Sequence, residues 1–216
     1  MGINVDLAPV LDVVRGSNPV LANRNLGSDP YLVAEKGIAF IKGLQAAGVV
    51  AVPKHFPGHG LSTTDPHSGV TRIDASADEL RIVDWVPFEA AFAAGVQAVM
   101  IGHPIYDAID PELPASLSPA VLALLRDRFG FDGVAITDSL TMQGVAEGRT
   151  AAELAVQSLA AGEDLLLALD PATVGQMVAA IVDAVDAGDL PLHRLQEAHS
   201  RVVLLAEHAG RVTCQG

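Results

Sequence analysis

Two stretches of the chain carry residue types able to do acid–base and nucleophilic chemistry. The first is Lys54-His55-Phe56-Pro57-Gly58-His59-Gly60, followed by Asp65-Pro66-His67. A carboxylate two residues from an imidazole in a loop can form an Asp–His pair. The carboxylate orients the ring and favours its protonated form, which tunes it as a general acid and base. Gly58 and Gly60 permit tight backbone approach to a ligand. The second stretch is Val134-Ala135-Ile136-Thr137-Asp138, which puts a carboxylate at the tip of an apolar run. Asp138 reads either as the cap of a following turn or as a nucleophilic or metal-binding carboxylate. A third chemistry is metal binding. His55, His59, His67 and His103, with Asp12 and Asp138, have suitable donor atoms. Against it, no H-x-H stands at a strand end and no H-E-x-x-H is present. A phosphate-loop reading of the glycine turn fails on spacing, because the lysine precedes the glycines.

Short apolar runs alternate with helical patterns, and these must position the polar residues. Strands are expected at Ile3 to Val13, Val49 to His55, Val96 to Ile101, Gly133 to Thr137 and Asp164 to Leu169. Pro53 is unusual for a central strand. Helices are expected from Asp29-Pro30 to Gly48, and from Ser76 with an interruption at Pro87 to Gly95. Others should run from Ser118-Pro119, Thr150 and Asp170-Pro171, with a final one through Leu192, Leu195, Val202 and Leu205. Ser76 with Glu79 and Thr150 with Glu153 are capping boxes. Residues 56 to 74 read as a long polar loop. The alternation implies parallel strands with right-handed helical crossovers. The strands are mostly continuous apolar runs, as expected when both sheet faces are covered. An open doubly wound sheet and a (β/α)8 barrel both fit, and both put function at the C-terminal strand ends. There stand Asp12 and Arg24, Lys54 and His55, His103 and Tyr106, Asp138 and Ser139, and Asp170.

Composition narrows the classes. Half of the 216 residues are apolar, too many for a disordered chain. A net charge of −13 argues against a nucleic-acid partner. No apolar run approaches the roughly 18 residues of a membrane span. A single cysteine, Cys214, excludes an internal disulfide framework.

Taken together, the motifs resemble glycoside hydrolase family 3, most closely its β-N-acetylhexosaminidase branch. The resemblance rests on the heptapeptide from Lys54 to Gly60 with its downstream Asp65-x-His67. It is extended by Ala8-Pro9-Val10-Leu11-Asp12-Val13, by Arg24 with Asp29-Pro30, and by Gly130-Phe131-Asp132-Gly133-Val134 running on to Asp138-Ser139-Leu140-Thr141-Met142. It covers nearly the whole chain to about Leu169. The resemblance implies a (β/α)8-type barrel and a retaining, two-step hydrolysis. It implies Asp138 as the nucleophile, His67 as the acid/base and Asp65 as its partner. It implies Arg24, Lys54 and His55 as residues that hold sugar hydroxyls, with His103 lining the same pocket. It implies no metal and no organic cofactor. The implied partner is an N-acetylglucosamine-containing glycan or muropeptide, and not a nucleic acid.

Two departures from the family pattern bear on these expectations. Pro66 stands between Asp65 and His67 where serine is common, and its fixed φ stiffens the loop. Family members also carry further βα units before the segment matching Ile3 to Val14, one ending in an Asp-Gln-Glu-Gly-Gly-like run that is not found here. The expected fold is therefore a single, incomplete TIM-barrel-like domain over residues 1–216, with about five parallel strands and its N-terminal βα units missing. The alternatives are an inactive fragment or carbohydrate-binding module, a β-glucosidase or glycoside phosphorylase, and a metal-dependent barrel hydrolase.

Overall fold

The computed structural model describes residues 2–16, 18, 21, 23–62 and 69–210. Asp65, Pro66, His67 and Cys214 lie outside the described residues. The chain opens with β1 (Val5–Asp6), α1 (Pro30–Ala46) and β2 (Val50–Ala51), followed by β3 (Arg72–Ile73). Then come α2 (Ala77–Glu79), α3 (Val86–Ala93), β4 (Ala98–Ile101), β5 (Ile105–Tyr106) and α4 (Pro119–Ala123). The second half holds β6 (Val134–Thr137), α5 (Gln143–Ala146), α6 (Ala151–Ala161), α7 (Pro171–Ala187) and α8 (Leu192–His208).

The helices begin where their caps dictate. The Asp29 carboxylate accepts from the amides of Tyr31 and Leu32, with Pro30 at the first helical position of α1. Ser118 and Asp170 cap α4 and α7 in the same way, again ahead of a proline. Both expected capping boxes form, Ser76 with Glu79 and Thr150 with Glu153. Each such cap is worth about 0.5–2 kcal/mol. The segment from Ser76 to Gly95 is interrupted earlier than expected. A π-helical turn, Leu80–Asp84, separates α2 from α3, and Pro87 sits harmlessly in the first turn of α3.

The main sheet runs in chain order and is parallel throughout. Val5 and Asp6 pair with Val50 and Ala51, and Val10 continues that ladder to Lys54. Phe56 bridges to Ile101, β4 lies in register with β6 from Ala98–Val134 to Ile101–Thr137, and Ile136 bridges to Leu165. The regular ladders are shorter than the apolar runs. Pro53 has no N–H, so only its carbonyl reaches the neighbouring strand, accepting from the Met100 amide at 3.0 Å. The fifth passage is a bridge rather than a regular strand. Its Leu167 amide donates to the Thr137 hydroxyl instead of a carbonyl, at 3.0 Å. One pairing was not expected. Arg72–Ile73, inside the stretch read as loop, pairs in parallel with Ile105–Tyr106 beyond β4. Two-residue strands are too short to carry a periodic signal.

Alternate residues of the strands enter two cores. Ala51, Val99, Ile101 and Ala135 face the helical layer, packing with Val33, Ile41, Phe88 and Leu122. Val50, Val52, Ala98, Met100, Val134 and Ile136 face the other way, where Leu205 and Val202 of α8 join them. Both faces are thus covered, which is why most of the strands read as nearly continuous apolar runs.

Gly133 enters β6 where β4 leaves no room for a side chain. A Cβ there would lie 2.5 Å from the Gln97 carbonyl oxygen and 2.6 Å from Phe131 Cζ. Gly43, inside α1, has nothing within 4 Å of its Cβ position. Gly133→Ala is therefore expected to cost roughly 1–3 kcal/mol or more. Gly43→Ala should stabilise by about 0.5–1 kcal/mol. Urea unfolding of both variants checks the pair, and equal effects would contradict this packing.

Candidate active site

The glycine-rich turn is bound to the end of the first strand by one buried carboxylate. Asp12, fully buried, accepts from the amides of His55 (3.2 Å) and His59 (2.6 Å) through Oδ1. Its Oδ2 lies 2.8 Å from His55 Nδ1. Burial pushes the Asp12 carboxyl up, but the two histidines and these bonds outweigh it and hold the group below its ordinary value. The turn is fixed from other sides too. The Tyr106 hydroxyl donates to the Gly58 carbonyl at 2.8 Å, and Asn18 donates to the His59 carbonyl at 3.2 Å. Phe56 packs edge-on against Phe88 and Phe129. Below Gly58 lies Asp84, paired with Arg15; a Cβ on Gly58 would meet Asp84 Cβ at 2.6 Å. A Cβ on Gly60 would lie 1.8 Å from the Val13 carbonyl oxygen.

Asp138 ends β6, and its amide donates to the Ile101 carbonyl at 2.9 Å. Its Oδ1 accepts from the Ser139 amide at 2.7 Å, while its Oδ2 stands 3.7 Å from His55 Nε2. The side chain keeps 22 % of its surface exposed, so it is reachable. Burial pushes its carboxyl up, but His55, His103, the Ser139 amide and Lys54 outweigh this and hold it below its ordinary value. Asp138 is therefore a carboxylate at neutral pH. Lys54 is pushed down, chiefly by burial and further by Arg24, while Asp138, Asp12 and Asp6 oppose the shift.

Arg24, Lys54, His55, His59, Asp138 and Ser139 share the wall of a cavity of about 190 Å³. Leu7, Met100 and Leu167 line it from the strands, with Leu21, Met142 and Leu169 beside them. A wider cavity, about 700 Å³, opens at the opposite strand ends beside Gln97 and Gly133. Its arginines are engaged, Arg128 with Glu89 and Arg201 with Asp164, so the convergent polar groups belong to the smaller one. No cluster of three or more His, Cys, Asp or Glu among the described residues is arranged to hold a metal ion. The chemistry on offer is nucleophilic attack by a carboxylate flanked by cationic and imidazole donors.

The profile described as Glycosyl hydrolase family 3 N terminal domain matches residues 1–205. The chain belongs to glycosyl hydrolase family 3. It is 42 % identical over 168 residues to a beta-hexosaminidase of Tolumonas auensis, covering 77 % of this chain and 50 % of that one. It is 34 % identical over 212 residues to beta-hexosaminidase LpqI of Mycobacterium tuberculosis, covering 95 % and 54 %. The structure of a family 3 beta-N-acetylglucosaminidase from Paenibacillus sp. superposes with a TM-score of 0.95 at 35 % identity, over 100 % of this chain and 42 % of that one. The chain thus spans about half the length of the curated relatives it matches. Its fold is of the family 3 (β/α)8 barrel type, with five successive parallel strand passages among the described residues.

Four of the seven family 3 site residues expected from sequence, Arg24, Lys54, His55 and Asp138, line one cavity. Lys54 and His55 both line it, although they are consecutive in the chain. Asp65 and His67 lie outside the described residues. His103 is not part of the cavity wall. It is buried, with Nδ1 2.7 Å from Ser116 Oγ and Nε2 2.9 Å from the Ser139 carbonyl oxygen. Sequence reasoning placed Asp12 at a strand end but did not see that it holds the turn, nor that Tyr106 does. A carboxylate inside the otherwise apolar run Val10 to Val14 was the available signal for the first.

His59 is 4 % exposed, and its Nδ1 has no hydrogen-bond partner among the described residues. Burial, with His55 adding to it, pushes the ring down to about 4 from an ordinary 6.5. The unfolded chain therefore binds the extra proton first as pH falls. Stability from this residue is present above about 6.5 and is lost as pH drops towards 4. His59→Asn should flatten the pH dependence of the urea midpoint within that window. An unchanged slope would place the acid sensitivity elsewhere.

Proposed function

We propose that the chain provides the nucleophile and sugar-holding residues of a retaining glycoside hydrolase that removes terminal β-linked N-acetylglucosamine, peptidoglycan fragments included. The observation that carries this reading is Asp138: an ionised, reachable carboxylate at the C-terminal end of β6, in one cavity with Lys54 and His55. Barrels of this type place their chemistry at that end. The names of the relatives, beta-hexosaminidase and beta-N-acetylglucosaminidase, support the substrate class.

In the first step an Asp138 oxygen forms an ester bond to the anomeric carbon. The bond to the leaving oxygen breaks, and that oxygen takes a proton from His67. In the second step water attacks the same carbon, gives its proton to His67 and releases Asp138 as a carboxylate. Asp65 orients His67, and Arg24, Lys54 and His55 hold the sugar hydroxyls. Two carboxyl groups usually share these roles in retaining enzymes; here the acid/base would be an Asp–His pair. Histidine's ordinary pKa of about 6.5 already suits proton transfer at neutral pH.

Hydrolysis of nitrophenyl N-acetyl-β-D-glucosaminide tests the assignment. Asp138→Asn should lower kcat by roughly a thousandfold or more. His67→Ala should lower it by roughly 10²–10⁴-fold. Wild-type rates in both variants would reject it. A stronger rate with the aryl glucoside, or a requirement for phosphate, would move the enzyme to a β-glucosidase or a phosphorylase.

A further inference from the structure

His103 follows β4 by two residues and is 2 % exposed. Both of its ring nitrogens have partners, and one of these decides where a hydrogen sits. The Ser139 carbonyl oxygen, 2.9 Å from Nε2, can only accept, so Nε2 carries a hydrogen and donates it. Ser116 Oγ, 2.7 Å from Nδ1, can donate its hydroxyl hydrogen to the ring in its neutral form. Burial pushes the ring's pKa down against the pull of Asp138 and the Ser139 carbonyl, in agreement with a neutral imidazole.

The carbonyl that His103 holds belongs to the residue after Asp138. The Ser139 amide is the group that pins Asp138 Oδ1, at 2.7 Å. With Oδ1 held, Oδ2 is the oxygen left facing His55. Ser139 also accepts from the Met142 amide at 3.1 Å and shares a 2.8 Å hydroxyl contact with Thr141. On its far side, Ser116 is fully buried in the 3-10 turn Ala115–Leu117, whose first amide donates to Pro104 O at 3.0 Å. The ring therefore ties the turn after β6 to a rigid support beyond β4.

We infer that His103 is a positioning residue, whose Nε2–H bond to the Ser139 carbonyl sets the turn that aims Asp138 Oδ2 into the cavity. This rests on the reading of Asp138 as the nucleophile. It assigns His103 a role through Ser139 and not through contact with the sugar. Misplacing a reacting group by about 1 Å can cost on the order of a hundredfold in rate.

The test pairs two amides. The side-chain nitrogen of Gln reaches the place of Nε2, whereas that of Asn is one carbon short. His103→Asn should lower kcat for nitrophenyl N-acetyl-β-D-glucosaminide by about 10–100-fold with KM within about threefold. His103→Gln should recover most of that loss. A KM rise at unchanged kcat would make His103 a sugar contact, and equal loss in Asn and Gln variants of parental melting temperature would make the bond irrelevant; either overturns the inference. Nitrogen-15 NMR of histidine-labelled parent protein gives a second reading, independent of kinetics. One ring should be the neutral Nε2–H form from pH 6 to 8, its resonances missing from His103→Gln. An Nδ1–H or doubly protonated ring there would overturn the inference as well. Asp138→Asn run in parallel separates the two readings. If Asp138→Asn keeps full activity, the nucleophile assignment fails. If it is inactive while His103→Asn matches the parent, the positioning role alone fails.

Discussion

A single buried carboxylate organises the site. Asp12 has no exposed surface, so its charge is tolerable only because three N–H groups converge on it. All three come from His55 and His59, more than forty residues along the chain. The result is mutual dependence. The turn from Lys54 to Gly60 has its shape because Asp12 waits at the end of the first strand, and Asp12 can be buried there because the turn supplies donors. Removing the carboxylate would orphan two buried amides, each costing about 1–3 kcal/mol, and release the His55 ring.

The same logic spreads outward in layers of decreasing polarity. Around the carboxylate are the backbone amides of the turn. Around the turn are the Tyr106 hydroxyl and the Asn18 amide. Beyond them, the Phe56 ring sits among Phe88, Phe92 and Phe129 and joins the turn to the helical layer. Polar precision at the cavity wall is therefore underwritten by apolar packing behind it. Asp138 is held in a parallel way from the next strands, with its own amide on Ile101 and its neighbour's carbonyl on His103.

What the sequence disclosed and what it hid follow one division. Features encoded within a few residues were legible: the capping boxes at Ser76 and Thr150, the proline starts of α1, α4 and α7, and the apolar runs that become strands. The heptapeptide and the Thr137-Asp138-Ser139 tip were legible for the same reason. Features that depend on a distant partner were not. Nothing near His103 announces that its ring will meet Ser139 and leave the cavity wall, because that contact spans 36 positions. Nothing near Tyr106 points to Gly58, 48 positions away. The β3–β5 pair was hidden by its brevity, and the fifth strand was overestimated because an apolar run from Asp164 to Leu169 does not reveal how many of its amides find a carbonyl.

The alternation of the strands between two apolar cores sets a rule for how this chain can change. Val50 and Val52 serve one core and Ala51 the other, and the ladder leads within a few residues to Lys54 and His55. One residue inserted or deleted ahead of Lys54 would exchange every inward and outward side chain downstream and carry the turn off Asp12. Such a strand can drift by substitution, one apolar residue for another, but its length is frozen. Variation in length has to be taken up at the far ends of the helices, where Gly48, Gly95 and Gly130 close their turns with positive φ and no side chain to place.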